Sequence, residues 1–247
     1  PVAAVVLAVT ALVAAVAPFP GDPVAAADPE FAAEPLVAAE GEARRPVTAE
    51  EGARLAEEAL RYARLRYTRD GQEEHGVPYV PGGQTTLAAF VEMVERGEWQ
   101  PDTGVDASGL VVNVIRAVFP DLRFARGPDP VTVLAEDVSS AALFAWNVTP
   151  LAPEEARPGD LIFFTGGPAG PPPAPGEPAR PAVGGVGVIT RRQGEQLFFV
   201  VASARAGRVV ETFYRIGSPA WEKAVAGLGR LLVRGVPAGA APPTGAP

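Results

Sequence analysis

The 247-residue chain contains no cysteine and a single histidine, His75. A chain without cysteine forms no disulfide and has no thiol nucleophile, and it cannot build a structural zinc site from Cys and His. A Ser-His-Asp triad has only His75 to draw on. We expect neither a metal site nor a cofactor.

Positive charge is also scarce. The 21 Lys and Arg residues are outnumbered by 29 Asp and Glu residues, which gives a formal net charge of −8. An acidic chain without a basic stripe is a poor nucleic-acid binder, so no nucleic-acid partner is expected. The length suits one sizeable domain with tails, or two small domains.

The first residues are uncharged and apolar. Residues 2–17 consist of Val, Ala and Leu with one Thr, and residues 25–27 (AAA) resemble the small-residue site of a signal peptide. A spanning helix needs about 20 strongly apolar residues, and this run is shorter. We therefore predict a secretory signal or N-terminal membrane anchor at 1–27 and a disordered linker at 28–47. The predicted location is outside the cytoplasm, in the periplasm or cell envelope.

Helix signals dominate the first half of the chain. Residues 48–51 (TAEE) form a capping-box pattern, which predicts a helix that runs to about Tyr67. A second helix is predicted over 87–96 with Gly97 as its stop. A third begins after Asp106, which we expect to be its N-cap.

Short apolar runs of strand type dominate the second half. Predicted strands cover 160–164, 186–191, 197–204, 208–214 and 230–234. A Pro/Gly-rich loop is expected at 166–183 and a disordered tail at 237–247. The order of elements predicts one α+β domain over 48–236, with N-terminal helices packed on an antiparallel sheet of five to six strands.

Several motifs follow one another in a particular order. They are 76–83 (GVPYVPGG), 106–111 (DASGLV), 157–164 (RPGDLIFF), 185–189 (GVGVI) and 202–203 (AS). This series resembles the NlpC/p60 family of cell-wall cysteine peptidases, over about residues 48–236. The resemblance implies a papain-like NlpC-type domain.

The resemblance also implies that the active site has been lost. In the family, the tetrad at 106–109 contains a cysteine whose thiolate is favoured by the start of a helix. This sequence has Ala107 at that position, Gly185 at the position of the histidine base and Val201 at the position of the polar residue that orients it. The resemblance therefore implies a pseudoenzyme with no catalytic residues.

A binding groove can outlast catalysis. Tyr79, Asp106 and Ser108 are our candidates for the substrate groove. The resemblance implies that Tyr79 lines the cleft, although Tyr79 is equally well explained as a packing residue. Pro81 stands where a Trp is common, so one wall of the groove is expected to be missing. Residues 84–103 are longer than the usual link, and their helix is a candidate lid.

Three functional hypotheses follow. The first is a non-catalytic cell-envelope domain that binds peptidoglycan stem peptides or a partner wall enzyme, which requires an open groove beside Ala107 and Tyr79. The second is a hydrolase with a rewired site built on Ser108 with His75 or a carboxylate. The carboxylates considered are Asp102, Asp106 and Asp160. The third is a structural protein–protein interaction domain, which requires a plugged groove and an exposed apolar patch.

Simpler roles compete with the second hypothesis. His75 follows three polar residues and is expected to be a solvent-exposed loop residue. Asp160 follows Pro-Gly and is expected to be a turn residue. Asn147 has glycosylation spacing with Thr149, but nothing else in the sequence suggests that modification.

Overall fold

The computed structural model describes residues 44–127, 134–166 and 182–234. The predicted signal or anchor at 1–27, most of the predicted linker, most of the Pro/Gly-rich loop and the predicted tail lie outside these residues. Within the described ranges, no helix is both long enough and apolar enough to cross a membrane.

Helix boundaries follow the capping residues. The Thr48 hydroxyl accepts the Glu51 amide at 3.2 Å, and the Glu51 carboxylate accepts the Thr48 amide at 2.7 Å, which completes the predicted capping box. Thr86 and Asp106 cap the next two helices, and Gly97 (φ 67°) ends the second. The helices are α1 (Ala49–Arg64), α2 (Leu87–Arg96), α3 (Ala107–Val118), α4 (Ser140–Trp146) and α5 (Pro219–Ala224).

Most strands belong to one antiparallel sheet. The strands are β1 (Arg44–Pro46), β2 (Arg66–Arg69), β3 (Gln72–His75), β4 (Phe124–Ala125), β5 (Leu134–Ala135), β6 (Val148–Leu151), β7 (Leu161–Thr165), β8 (Val183–Gln193), β9 (Gln196–Ser203), β10 (Arg208–Arg215) and β11 (Val225–Arg234). Over the described residues, the main sheet has seven strands in the order β1-β11-β7-β8-β9-β10, and β6 also pairs with β11. Two small hairpins, β2–β3 and β4–β5, lie outside it.

Helices cover one face of the sheet and a second apolar cluster lies on the other. On the first face, α1, α3 and α4 pack against β8, and the core includes Leu55, Leu110 and Val200. On the second face, Ile162 and Phe199 belong to a separate buried cluster with Trp221 of α5. The fold is therefore the predicted α+β arrangement of N-terminal helices on an antiparallel sheet.

The end of α1 differs from the prediction. The helix stops at Arg64 rather than near Tyr67, because β2 and β3 form a hairpin directly afterwards. The turn residues Asp70 (φ 51°) and Gly71 (φ 77°) adopt the left-handed conformation that two-residue hairpin turns require. The Asp70-Gly71 pair is a sequence signal for a hairpin turn. The flanking strands, however, are too polar to show an alternation of apolar and polar residues.

The edge of the sheet also differs from the prediction. Strand β1 lies inside the segment predicted as linker, and β6 lies in a stretch for which no strand was predicted. Each is short and pairs with part of β11. Backbone hydrogen bonds to β11, rather than an apolar pattern of its own, keep each strand in place. These two strands bring the sheet from the expected five or six strands to seven.

Candidate functional site

Asp106 organises the entrance of α3. Its Oδ1 accepts hydrogen bonds from the Gly109 amide at 2.6 Å and from the Ser108 hydroxyl at 3.0 Å. Its Oδ2 accepts the Gly82 amide at 3.2 Å. Asp106 is therefore the N-cap of α3, as its position predicts, and it also ties the helix to the 76–83 segment.

Glycine permits this segment to approach α3 closely. A Cβ at Gly109 would lie 2.1 Å from the carbonyl oxygen of Gly83, which is far inside contact distance. The Asp106 amide donates to the same oxygen at 2.9 Å. The Asp-x-Ser-Gly pattern thus has a packing role that is independent of any reaction.

The structure brings Ala107 and Gly185 together. A Cβ built at Gly185 would lie 4.0 Å from the Cβ of Ala107 and 3.4 Å from Cδ2 of Phe164. The two positions that the resemblance assigns to a cysteine and its base are therefore neighbours across the α3–β8 boundary. One carries only a methyl group and the other carries no side chain.

Val201 lies in an apolar environment. It is 4% exposed and belongs to the second-face cluster with Phe164, Phe199 and Tyr214. The ring of Phe164 lies 5.4 Å from that of Phe199 between centroids, and the ring of Phe199 lies 5.6 Å from that of Tyr214. No polar group for orienting a base is supplied at position 201.

Tyr79 lies on the segment that borders the start of α3. It is half-buried and packs against the helix-side core. Its amide donates to the carbonyl of Gly207 at 2.9 Å, and it bridges to Val105, next to the Asp106 cap. The packing role predicted for Tyr79 is thus supported by these contacts, while its role as a groove residue stays a prediction.

A cavity of about 360 Å³ opens beside the first turn of α3. Ser108 and Gly109 form one wall, and the buried side chains of Val112 and Val138 contribute apolar surface. The lining residues are Gln84, Ser108, Gly109, Val112, Arg126, Asp137, Val138, Ser139 and Ala142. Ligand pockets generally have volumes of roughly 300–1,000 Å³, and this cavity lies at the lower end of that range.

An accessible ion pair sits at the cavity. Arg126 Nη2 donates to Asp137 Oδ1 at 2.6 Å, and the side-chain Nε2 of Gln84 donates to Asp137 Oδ2 at 3.3 Å. The side chains of Arg126 and Asp137 are 53% and 47% exposed. Ion pairs this exposed contribute about 0.2–1 kcal/mol, so a charged ligand can replace either partner at little cost.

Sequence reasoning missed this cavity. Its charged residues, Arg126 and Asp137, belong to no motif and come from segments on either side of residues that are not described. Ser108 was the only one of its lining residues among the candidates. No periodicity marks residues that share a cavity but belong to different elements.

The candidates for a rewired hydrolase are dispersed. His75 is exposed on β3, where it pairs with Arg66 across the hairpin. Among the described contacts, the Ser108 hydroxyl is bonded to the capping carboxylate of Asp106 rather than to an imidazole. Asp102 lies exposed in a turn before the α3 entrance.

Asp160 and Asn147 have structural roles. Asp160 is fully buried, accepts the Arg157 amide at 2.9 Å and pairs with Arg230 at 2.8 Å. Asn147 is also fully buried, and its side chain bonds to Arg44 and to the backbone of Ala125, so its amide is not displayed for modification. In the parts of the chain that the structure describes, no group of three or more acidic or histidine side chains is placed to hold a metal ion.

The helix of the 84–103 insertion packs beside the β2–β3 hairpin. Leu87 donates its amide to the buried hydroxyl of Tyr62 at 2.9 Å, and burial raises the pKa of Tyr62 to about 12. Phe90 contacts Tyr67 and Trp99, with ring centroids 5.2 and 5.6 Å away. Of the residues that line the described cavity, Gln84 is the only one from the insertion, and α2 contributes none.

No protein-family model matches the chain, and no curated protein matches it. Among solved structures, it is similar to a Staphylococcus aureus protein described as similar to a lipoprotein of the NLP/P60 family, with 19% identity and a TM-score of 0.40. The match covers 76% of this chain and 44% of that one, so this chain corresponds to less than half of that protein's length.

The residues themselves are more informative. The motif series resembles NlpC/P60 proteins, and the fold places Ala107 beside Gly185. The chain contains no cysteine, so it forms no cysteine-peptidase site. It is therefore an α+β chain that resembles NlpC/P60 proteins in its motifs and lacks the nucleophile of that family.

Proposed function

We propose that this chain is a non-catalytic NlpC-type domain of the cell envelope that binds peptidoglycan stem peptides beside the start of α3. The observation that carries the proposal is the cavity of about 360 Å³ that has Ser108 in its wall. Ser108 directly follows Ala107, so the cavity lies next to the position where the reactive group is missing, which supports a binding role there.

The chemistry of the cavity supports a short peptide as the ligand. The guanidinium of Arg126 is a planar donor suited to a carboxylate, and Asp137 is an acceptor for an ammonium or amide group. Val112, Val138 and Ala142 offer apolar surface for small side chains. Stem peptides present carboxylates, amides and alanine methyl groups close together, so they match all three surfaces.

The absence of a reactive pair supports binding without cleavage. Hydrolysis by this type of domain needs a nucleophile and a base within hydrogen-bond reach. The two corresponding positions, Ala107 and Gly185, are adjacent but supply neither group. The predicted export signal at 1–27 would bring such a domain to its ligand, and the envelope location is part of this proposal.

The experiment is co-sedimentation of the full chain with isolated sacculi, together with calorimetric titration of soluble stem peptides. We expect sedimentation without released peptides. Arg126→Ala should weaken peptide binding about tenfold, which corresponds to the loss of one charge-assisted hydrogen bond of roughly 1.4 kcal/mol. Arg66→Ala is the matched control, since Arg66 is 78% exposed on the β2–β3 hairpin, and its binding should equal that of the unchanged protein.

Two results would overturn the proposal. Release of peptides from the sacculi by the purified chain would establish an enzyme. Failure of both sacculi and soluble peptides to bind, with the fold intact by circular dichroism, would leave the cavity without this ligand and direct the search to protein partners.

A further inference from the structure

Strand β10 forms one end of the main sheet. Within the described residues, β9 is its only neighbouring strand. The beginning of its outer side is covered, because the Val209 amide donates to the carbonyl of Val77 at 2.7 Å and Arg208 bridges to Pro78. Beyond Val209, no described strand lies against this edge.

The alternation of backbone groups shows which residues face outward. Since the Val209 amide points away from β9, the backbone groups of Glu211, Phe213 and Arg215 point to the same outer side. The Ile216 amide, which has the opposite parity, bonds towards β9 through Glu195 at 2.8 Å, in agreement with this alternation. The outer edge therefore presents a row of amide and carbonyl groups at positions 211, 213 and 215.

An apolar side chain stands in the middle of this row. Phe213 is 41% exposed and is the one large hydrophobic side chain classed as exposed among the described residues. Its ring lies 5.2 Å from that of Phe198, and the guanidinium of Arg191 lies 3.8 Å above the Phe198 ring. The edge thus has an aromatic surface beside backbone groups that no described strand pairs with, the combination that promotes strand addition.

Among pairings of two copies that are centred on an outward-facing residue, charge favours one. In a twofold antiparallel arrangement, outward-facing residues lie opposite one another. Placing Phe213 opposite Phe213 of a second copy puts Glu211 of each copy opposite Arg215 of the other. Centring the pair on Glu211 or on Arg215 instead brings like charges together, which is destabilising.

The two charged groups differ in how they are presented for this contact. The Arg215 side chain is 70% exposed and forms a surface pair with Glu195 at 2.8 Å, which is of little energetic consequence. The Glu211 side chain is 22% exposed, and its Oε1 accepts hydrogen bonds from Thr190 and Arg191. These bonds hold the Glu211 carboxylate in place at the edge, and Arg215 of the second copy approaches its exposed part.

We propose that the chain self-associates through β10, with the two strands antiparallel about Phe213, so that two sheets join into one across a twofold axis. This inference does not depend on the proposed ligand. The partner is a second copy because the edge is complementary to itself in both charge and aromatic surface.

The absence of native cysteine makes a direct test possible. Opposite residues of a hydrogen-bonded antiparallel pair have Cα atoms about 5.5 Å apart, which is within disulfide range. The full chain carrying Phe213→Cys should therefore form a disulfide-linked dimer under mild oxidation. Arg215→Cys is the matched control on the same strand: in this register its counterpart in the other copy lies four residues away, so it should cross-link at least tenfold more slowly.

A second measurement tests the effect of charge substitutions on dimer formation, without cross-linking. Sedimentation velocity over a concentration series should show a dimer of the unchanged chain, and Arg215→Glu should abolish it by placing carboxylates opposite one another. Combining Arg215→Glu with Glu211→Arg should restore the dimer. A chain that stays monomeric at all concentrations overturns the proposal, as does cross-linking of the two cysteine variants at equal rates or an unchanged dimer in folded Arg215→Glu.

Discussion

At the scale of single residues, position 107 lacks the reactive group that the motif resemblance would place there. The methyl group of Ala107 sits at the start of α3, where the helix dipole and unpaired amides would favour a thiolate. Position 185 is near enough for a base, but glycine has no side chain. Position 201 is apolar and buried.

The single substitution Ala107→Cys should therefore not create a peptidase. The new thiol would have no imidazole within reach, and peptide cleavage from sacculi should stay at background. Adding Gly185→His should speed alkylation of the thiol at pH 7, because an adjacent imidazole raises the thiolate fraction. Cleavage by the single variant would contradict this account, and equal alkylation rates would show that positions 107 and 185 are not neighbours in solution.

At the scale of elements, the carboxylate of Glu51 stabilises the start of α1 through two contacts. Glu51 belongs to the capping box and pairs with Arg45 at 2.6 Å. The hydrogen bond from Arg45, followed by those from Thr48, lowers the pKa of Glu51 from 4.5 to about 2. The stabilisation that Glu51 provides is thus fully present above pH 4.5 and is lost as the pH falls towards 2.

The variant Glu51→Gln should accordingly lower the free energy of unfolding by about 1 kcal/mol at pH 7, a typical value for a lost cap. The difference from the unchanged protein should shrink below pH 4.5 and vanish near pH 2. Urea unfolding at a series of pH values measures it. Glu50→Gln, exposed in the same turn and outside the capping box, should leave the profile nearly unchanged, and parallel profiles for Glu51→Gln and the unchanged chain would disprove the assignment.

Elements that carry their own local signals were predictable from the sequence. The caps at Thr48 and Asp106 and the stop at Gly97 gave the helix boundaries, and apolar runs gave β7 to β10 to within a few residues. Elements held by backbone pairing to a distant strand, such as β1 and β6, were not predictable. The same distinction applies to the candidate site: motifs drew attention to Ala107 and Gly185, but nothing local in the sequence connects Arg126 and Asp137 to Ser108.

At the scale of the whole molecule, the segment before α1 belongs to the folded domain. Strand β1 pairs with the end of β11, and Arg44 donates to the Trp146 carbonyl and to Asn147 Oδ1, both at 2.9 Å. Asn147 in turn receives the Ala125 amide at 2.8 Å. A short N-terminal strand therefore connects the sheet edge with α4 and β4.

A chain that begins at Thr48 should consequently be less stable than one that begins at residue 42. Several hydrogen bonds of about 0.5–1.5 kcal/mol each are removed, and the buried Asn147 loses one partner, so we expect a loss on the order of 3 kcal/mol. Thermal and urea unfolding of the two chains measure the difference. Equal midpoints would mean that β1 contributes no stability and that the domain begins at the helix.

The close packing around the start of α3 has a consequence for how such a tetrad is interpreted. Asp106 holds the neighbouring segment, Ser108 bonds to Asp106, and Gly109 leaves room for the Gly83 carbonyl, so three residues of the tetrad take part in packing. Ala107 contributes only a methyl group between them. The three packing residues can therefore be kept in a chain that has no nucleophile, and when activity is assigned from such a tetrad, the second residue must be inspected separately from the other three.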